Sequence, residues 1–255
     1  MRALALLLLF SACGLADAAA PTTKPKLPPA PPGVTIVQDV TYLDPTRAEK
    51  LDLYLPTDST TATKRPAIVI IHGGGWVGGD KASPREFNIG TTLAKAGYVA
   101  ASVNYHLGEK NRWPTNLFDC KNAVRFLRKN ADEYKIDADH IGVIGGSAGG
   151  HLALMVAYTS EVLDLVPPTP YPGISDKVSA VVDMYGITNL LTRQKTDADG
   201  DPTGETKAAA IFPRFALDRH RPGEADVLEG AQEVLGRHLA RAEWNFRSPH
   251  RARLL

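Results

Sequence analysis

Runs of β-branched and small apolar residues that alternate with helical segments constrain the fold of this chain more than any other feature. Such runs are typical of strands buried on both faces of a sheet, and they occupy residues 66–71, 98–104, 140–145 and 178–185. The helical segments between them are residues 116–130, with one apolar stripe, and residues 148–158, apolar nearly all round. The alternation predicts an α/β fold whose mainly parallel sheet is covered by helices on both faces.

The N-terminal part of the chain divides into pieces of different composition. Residues 1–20 combine Arg2, a short apolar run and small residues, which predicts a secretory signal peptide cut after Ala18. The apolar run is shorter than the roughly 20 residues that span a bilayer. Residues 21–33 contain six prolines and predict an extended, solvated linker. The folded α/β core is predicted at residues 34–190, and it begins with half-exposed antiparallel strands at 34–43 and 50–55.

Cys13 leaves a second interpretation of the N-terminus open. Residues 10–13 resemble a bacterial lipobox, which would make Cys13 a lipid-carrying N-terminal residue. Phe10 is a poor match at the first position of that motif, so we expect simple export to the periplasm or the medium. In either case Cys120 is the one cysteine left in the mature chain to pack in a core, which excludes an internal disulfide.

The charge of the chain argues against nucleic-acid binding. Twenty-nine Lys plus Arg against 28 Asp plus Glu give a net charge of +1. A protein that neutralises phosphates normally has a clear basic excess. We therefore expect no nucleic-acid partner, and the short apolar run in residues 1–20 predicts no membrane span.

The segment Gly-Gly-Ser-Ala-Gly, residues 145–149, carries the strongest chemical signal. It lies directly between a predicted buried strand and a predicted buried helix. A turn this sharp excludes larger side chains and raises the serine hydroxyl above the sheet. The context predicts that Ser147 is a nucleophile.

A second glycine motif, His-Gly-Gly-Gly-Trp at residues 72–76, follows the first fully buried strand. Consecutive glycines allow backbone N–H groups to approach a substrate oxygen closely, and each fixed donor stabilises an oxyanion by roughly 3–4 kcal/mol. Both glycine motifs follow the carboxyl ends of buried strands, where α/β sheets build their sites. The alternative, a mere glycine loop, is therefore disfavoured.

These two motifs, together with residues 104–105 and 183–186, resemble those of α/β-hydrolase esterases. The similar families are the hormone-sensitive-lipase-like esterases and the bacterial feruloyl or acetyl-xylan esterases, and the resemblance covers about residues 34–190. It implies that Ser147 is the nucleophile, that no metal or organic cofactor is needed, and that the oxyanion hole is formed by the N–H groups of Gly74, Gly75 and Ala148. His106 stands where these families usually carry an arginine.

Other polar and aromatic residues near the motifs are predicted to be structural. His151 follows Ser147 on the same predicted helix, whereas a base must reach the hydroxyl from the opposite side of the site. His72 resembles the loop-supporting histidine of the family. Asp183 ends the strand that follows the predicted nucleophile helix, whereas the family's catalytic acid follows the next strand, so Asp183 is predicted to brace a loop. Two tryptophans either wall the pocket or pack in the core: Trp76 and Trp113.

The last 69 residues do not continue the pattern. Val plus Ile number 24 in residues 34–186 and four in residues 187–255. Residues 191–255 are predicted as a polar insertion, a helix at 225–241 and an Arg-rich tail. The two strands that should carry the catalytic acid and histidine are therefore missing from the prediction, which suggests truncation or a frameshift near residue 240. The remaining candidate bases, none in a strand–loop context, are His220, His238 and His250.

Two functions of different classes follow from the sequence. The first is an exported serine carboxylic-ester hydrolase for small acyl esters, including acetyl or feruloyl groups on polysaccharide. The second is a non-catalytic remnant that binds through the same pocket. A peptidase is a weaker third, because the triple-glycine loop is typical of esterases. Without an identifiable base, the chain is expected to be a poor catalyst.

Overall fold

The computed structural model describes residues 25–57, 63–108, 113–160 and 162–188, and the backbone of two further short strands. The predicted signal peptide, Cys13 and the predicted helix at 225–241 lie outside these residues. The strands are β1 (Val34–Val40), β2 (Leu51–Pro56), β3 (Arg65–Ile71), β4 (Val99–Val103), β5 (Ile136–Gly146), β6 (Ala180–Met184), β7 (Gln194–Thr196) and β8 (Pro202–Thr206). The helices are α1 (Pro84–Lys95), α2 (Thr115–Lys129), α3 (Ala148–Tyr158) and a short 3-10 turn at Leu163–Leu165.

Strands β1 to β6 form one mixed sheet in the order β1-β2-β4-β3-β5-β6. The pairs β1–β2 and β2–β4 are antiparallel, whereas β4–β3, β3–β5 and β5–β6 are parallel. The prediction of four adjacent parallel strands is confirmed. Their carboxyl ends meet at one edge of the sheet, and both glycine motifs follow strands that end there.

The sheet is buried between two hydrophobic layers, as the helix pattern predicts. Successive side chains of a strand point to opposite faces, and β3 shows this directly. Val69 and Ile71 pack in the larger core with residues of α2 and α3, whereas Ile70 packs in the smaller core beside α1. Helices therefore cover both faces of the sheet.

A buried lysine ties the connection between α3 and β6 to α2. Lys121 is fully buried, and its Nζ donates to the carbonyl oxygens of Thr159 (2.7 Å) and Leu165 (2.8 Å). The ammonium also pairs with Asp176 at 3.1 Å. Burial lowers the pKa of Lys121 despite the attraction of Asp176. This connection holds the segment that leads into β6.

The structure differs from the sequence predictions at the margins of the core. The prediction that β6 is buried on both faces is wrong, because Val182 is 49% exposed on this outermost strand of the sheet. Leu27, in the predicted solvated linker, is buried beside β1. The predicted polar insertion contains an antiparallel pair, β7 and β8. Helix α1, which the sequence analysis did not single out, begins with Pro84 after Ser83.

Candidate active site

Ser147 occupies the sharp turn between β5 and α3. Its backbone has φ 57° and ψ −122°, a strained conformation for a residue with a side chain. The turn requires glycine on both sides: a Cβ on Gly145 would lie 2.1 Å from Gly149 O, and a Cβ on Gly149 would lie 2.2 Å from Ile71 O. Ser147 is half-buried at the N-terminus of α3. The predicted strand–turn–helix geometry of the serine is confirmed.

The loop after β3 lies directly against this serine. A Cβ on Gly73 would lie 2.8 Å from Gly146 O and 3.4 Å from Ser147 Cβ, so the two motifs are in contact. Gly74 has φ 112°, and a Cβ there would lie 2.1 Å from Gly78 O. The carbonyl of Gly74 accepts from the N–H groups of Val77 and Gly78 and closes the loop into a tight turn.

Three backbone N–H groups of the two glycine motifs have no hydrogen-bond acceptor within the part of the chain that the structure describes. They belong to Gly74, Gly75 and Ala148, and none of them donates to an acceptor in the described ranges. Gly74 is exposed and Gly75 is half-buried, so a ligand oxygen has access to the loop. Free, rigidly held donors are what a site for a developing oxyanion needs. The convergence of these nitrogens on Ser147 Oγ stays a prediction.

A buried ion pair anchors the far end of the glycine loop. Lys81 Nζ lies 2.6 Å from Asp52 Oδ1 and 2.9 Å from Asp39 Oδ1. Burial opposes the charged ammonium, but the hydrogen bonds and charges of these two carboxylates raise the pKa of Lys81. Lys81 N also donates to Asn104 Oδ1 at 2.6 Å, which ties the loop to the end of β4. Sequence reasoning missed this anchor, because its partners lie on three separate segments.

The two histidines near the motifs are core residues, as the sequence predicts. His72 stacks on Tyr105 with ring centroids 4.4 Å apart, and its Nδ1 lies 2.7 Å from Gly73 O. His151 packs edge-on against Trp76 at 5.4 Å and is 3% exposed. Burial lowers the pKa of both rings, that of His151 to about 4. Both imidazoles are therefore neutral at pH 7.

The tryptophans and Asp183 take structural positions. Trp76 is 1% exposed and belongs to the larger core, and Trp113 packs against the same core. Asp183 Oδ1 accepts from the N–H of Gly186 at 2.7 Å. The prediction that Asp183 braces a loop is confirmed.

Arg85 and Tyr185 form a bridge across the turn that the sequence analysis missed. Arg85 Nη1 donates to Tyr185 Oη at 2.6 Å, and the two residues are 100 positions apart in the chain. A Cβ on Gly146 would lie 2.6 Å from Arg85 Nη1 and 2.9 Å from Tyr185 Oη. The bridge therefore crosses the turn beside the serine. The glycine at position 146, which leaves room for the bridge, is the one signal in the sequence that could have indicated it.

Several expectations fall outside the residues that the structure describes. His220, His238 and His250 are among them. Within the described ranges no group of three or more His, Cys, Asp or Glu side chains is placed to hold a metal ion. No helix there combines the length and the apolar composition needed to cross a membrane.

The fold and the serine turn define an α/β-hydrolase with a nucleophile elbow. The BD-FAE family profile matches residues 51–215, which is more than half of the chain. The chain belongs to this family of α/β-hydrolase esterases, and the predicted resemblance is confirmed.

Known proteins of this class are similar over most of the described core. The probable carboxylic ester hydrolase LipM of Mycobacterium tuberculosis is 32% identical over 61% of this chain and 36% of its own length. The truncated form of a carbohydrate esterase from gut microbiota is 28% identical, with a TM-score of 0.57 over 70% of this chain and 65% of that one. Thermogutta terrifontis esterase 2 phosphorylated by paraoxon is 29% identical, with a TM-score of 0.53 over 72% and 66%. The chain thus spans about a third of LipM and about two thirds of these structures.

Proposed function

We propose that this protein is an exported serine hydrolase of small carboxylic esters. The observation that carries the proposal is the strained backbone of Ser147, which lies at the carboxyl edge of the sheet in contact with the glycine loop. Strain of this kind persists only where the surrounding structure enforces it, and it clusters at catalytic positions. The membership of the chain in an esterase family supports the same conclusion.

The site residues suggest the following chemistry. Ser147 Oγ attacks the ester carbonyl carbon, the carbonyl oxygen becomes an oxyanion, and the alcohol leaves as the acyl-enzyme forms. Water then attacks the acyl group and releases the acid. The free N–H groups of Gly74, Gly75 and Ala148 stabilise the oxyanion in both steps. His72 and His151 are buried in the core, so the histidines to test as the base that takes the proton from Ser147 are His220, His238 and His250.

We propose acetyl or feruloyl groups on polysaccharide as the natural esters. Support comes from the carbohydrate esterase among the similar structures. Export is part of the same proposal, because an enzyme must leave the cell to reach a plant polysaccharide. N-terminal sequencing of the secreted protein should find Ala19 as the first residue. A lipid-modified Cys13 would instead show that the protein is membrane-anchored.

A second candidate function is binding without catalysis. It is favoured by the state of the two described histidines closest to the site, His72 and His151, which are both buried in the core. A serine hydroxyl without a base is a weak nucleophile at neutral pH. In this case the pocket would hold an ester and release it unchanged.

Turnover of 4-nitrophenyl acetate by the full chain and by Ser147→Ala separates the two functions. For the esterase we expect turnover that falls by about 10³-fold or more in the variant. Ser175→Ala is the matched control, because Ser175 is exposed and distant from the glycine motifs in sequence. Equal rates for all three proteins would reject the esterase and favour the binding function. If turnover is found, single replacements of the three C-terminal histidines by Ala identify the base.

A further inference from the structure

The guanidinium of Arg85 lies close to the nucleophile. The position of a Cβ on Gly73 is 3.4 Å from Ser147 Cβ and 3.7 Å from Arg85 Nη2. Ser147 Cβ and Arg85 Nη2 therefore lie at most about 7 Å apart, which is the sum of these two distances. Arg85 is half-buried and Tyr185 is 69% exposed, so both side chains are open to solvent and to a ligand.

Glu86 fixes the orientation of the guanidinium. Arg85 Nε donates to Glu86 Oε1 at 2.9 Å, and Nη2 donates to the same oxygen. Glu86 is 2% exposed, so this contact is made on the inner side of the group. Arg85 Nη1 donates to Tyr185 Oη on the other side. A guanidinium has five N–H groups, and these contacts use three of them.

The remaining hydrogens of this pair are all donors. One N–H on Nη1 and one on Nη2 have no acceptor in the described part of the chain, and neither has the hydroxyl hydrogen of Tyr185. Tyr185 Oη already accepts from Arg85, so its own hydrogen is directed elsewhere. A cluster that offers three donors selects a group that only accepts hydrogen bonds. A carboxylate is such a group, and two guanidinium N–H groups match its two oxygens.

We propose that Arg85 and Tyr185 bind a carboxylate on the substrate. This inference rests on the proposed esterase function and names a substrate class for it: esters that carry a carboxylate a few bonds from the carbonyl under attack. The short separation between Arg85 and Ser147 sets the distance. With hydrogen bonds of about 2.8 Å at the guanidinium, there is room for two or three carbon atoms between the carboxylate and the ester.

The carboxylate can belong to either side of the ester, and two pairs of probes distinguish the sources. Monomethyl succinate carries it on the acyl side, and dimethyl succinate is its neutral partner. 3-Acetoxypropanoate carries it on the alcohol side, and methyl 3-acetoxypropanoate is its neutral partner. Within each pair the two compounds differ in the methylation of one carboxylate.

Binding should be measured by calorimetry or ligand-detected NMR with the full chain carrying Ser147→Ala, so that the esters are not hydrolysed. We expect the anionic member of one pair to bind about tenfold tighter than its neutral partner, the magnitude of a charge-assisted hydrogen bond. Arg85→Gln in the same background should reduce this ratio to about one, and Tyr185→Phe should reduce it about threefold. Arg85→Lys keeps the charge but not the paired donors, and should restore the ratio in part.

Lys64→Gln is the matched control. It removes one positive charge at the amino end of β3, where Lys64 forms an exposed pair with Asp132. The control should leave the ratio unchanged. The proposal is overturned if the anionic and neutral esters of both pairs bind equally well while Arg85 is unchanged. It is also overturned if the preference for the anionic ester survives Arg85→Gln in a folded protein. Because binding is measured without turnover, a chain that fails the esterase assay can still support the carboxylate site, and an active esterase can still lack it.

Discussion

The two sides of the nucleophile turn are built in different ways. On one side the glycine wall, formed by Gly73, Gly145 and Gly149, packs backbone against backbone, with no room for a Cβ. On the other side the side-chain wall, formed by Arg85, Asp183 and Tyr185, consists of polar groups on partly open surface beside β6. The first wall fixes the geometry of the reaction, whereas the second can change without disturbing the turn. We infer that catalysis is encoded in the glycine wall and selectivity in the side-chain wall.

The largest effect is expected at the anchor of the glycine loop. Lys81→Met leaves Asp52, which is fully buried, without its ammonium partner. Breaking a buried ion pair in this way costs about 3–5 kcal/mol, and urea unfolding measures the loss. Lys64→Met should cost much less, because Lys64 and Asp132 form an exposed pair that solvent screens. Equal losses for the two variants would show that the buried anchor stabilises the fold no more than an exposed ion pair does.

The next effect is a pH dependence that arises from His151 in the core beneath the glycine wall. Its pKa of about 4 in the folded chain lies below the unfolded value of about 6.5. Between these pH values the unfolded chain binds the proton and the folded chain does not. The free energy of unfolding therefore falls as the pH drops from 6.5 to 4, by about 3 kcal/mol in total, and His151 adds no further change below pH 4.

A matched variant isolates this contribution. His151→Gln should remove the slope, so its difference in unfolding free energy from the parent should shrink by about 3 kcal/mol between pH 7 and pH 4. Burial raises the pKa of Asp119 to about 6, which lowers the stability as the pH rises toward 6. Asp119 is present in both proteins, so its opposing contribution cancels in the difference. A difference independent of pH would place His151 in contact with water.

Alanine substitutions at two neighbouring glycines of α3, Gly149 and Gly150, allow the stability of the two walls to be compared directly. Gly149→Ala forces a Cβ against the carbonyl oxygens of Ile71 and His72, at 2.2 and 2.5 Å, and we expect a loss of about 2 kcal/mol. Gly150→Ala meets Asp183 Oδ1 at 2.3 Å and the backbone Cα of Gly186 at 2.8 Å, so the loop that Asp183 braces must shift. Its clash with backbone is less severe than that of Gly149→Ala, so we expect a smaller loss of stability for Gly150→Ala. Denaturant unfolding of both variants should rank them in this order, and the reverse order would contradict the comparison.

The smallest effect on stability is expected in the side-chain wall. Tyr185 is 69% exposed, so Tyr185→Phe should change the unfolding free energy by less than about 0.5 kcal/mol. The same substitution should alter the selectivity between anionic and neutral esters. A stability loss above 1 kcal/mol in thermal or urea unfolding would show that the bridge holds the fold and does not serve selectivity alone.

The contrast between the walls also explains what the sequence could predict. Positions 145 and 149 require glycine for steric reasons, so the turn and the position of Ser147 follow from local composition. The continuous apolar run at 66–71 likewise predicts β3, because a central strand contacts both cores.

Other features depend on contacts between distant segments. Arg85 and Tyr185 meet across 100 positions, and Lys81 meets Asp39 and Asp52 from another part of the sheet. The hydrophobic periodicity of a sequence does not indicate such long-range pairs. The exposure of β6 was missed for a related reason: its β-branched composition resembles that of a central strand, but its place at the edge of the sheet is set by the topology.

If the protein is a serine esterase, Ser147 on the elbow is activated by a base and reacts faster as a nucleophile than the other serines of the chain. Paraoxon tests this difference most directly, because its phosphorus is attacked by the serine oxygen while 4-nitrophenolate leaves and the serine proton is lost. Peptide mass spectrometry of the full chain should find one diethylphosphoryl group on Ser147 and none in Ser147→Ala, with exposed Ser175 unmodified as the internal control. Modification of Ser147 no faster than that of Ser175 would contradict the account.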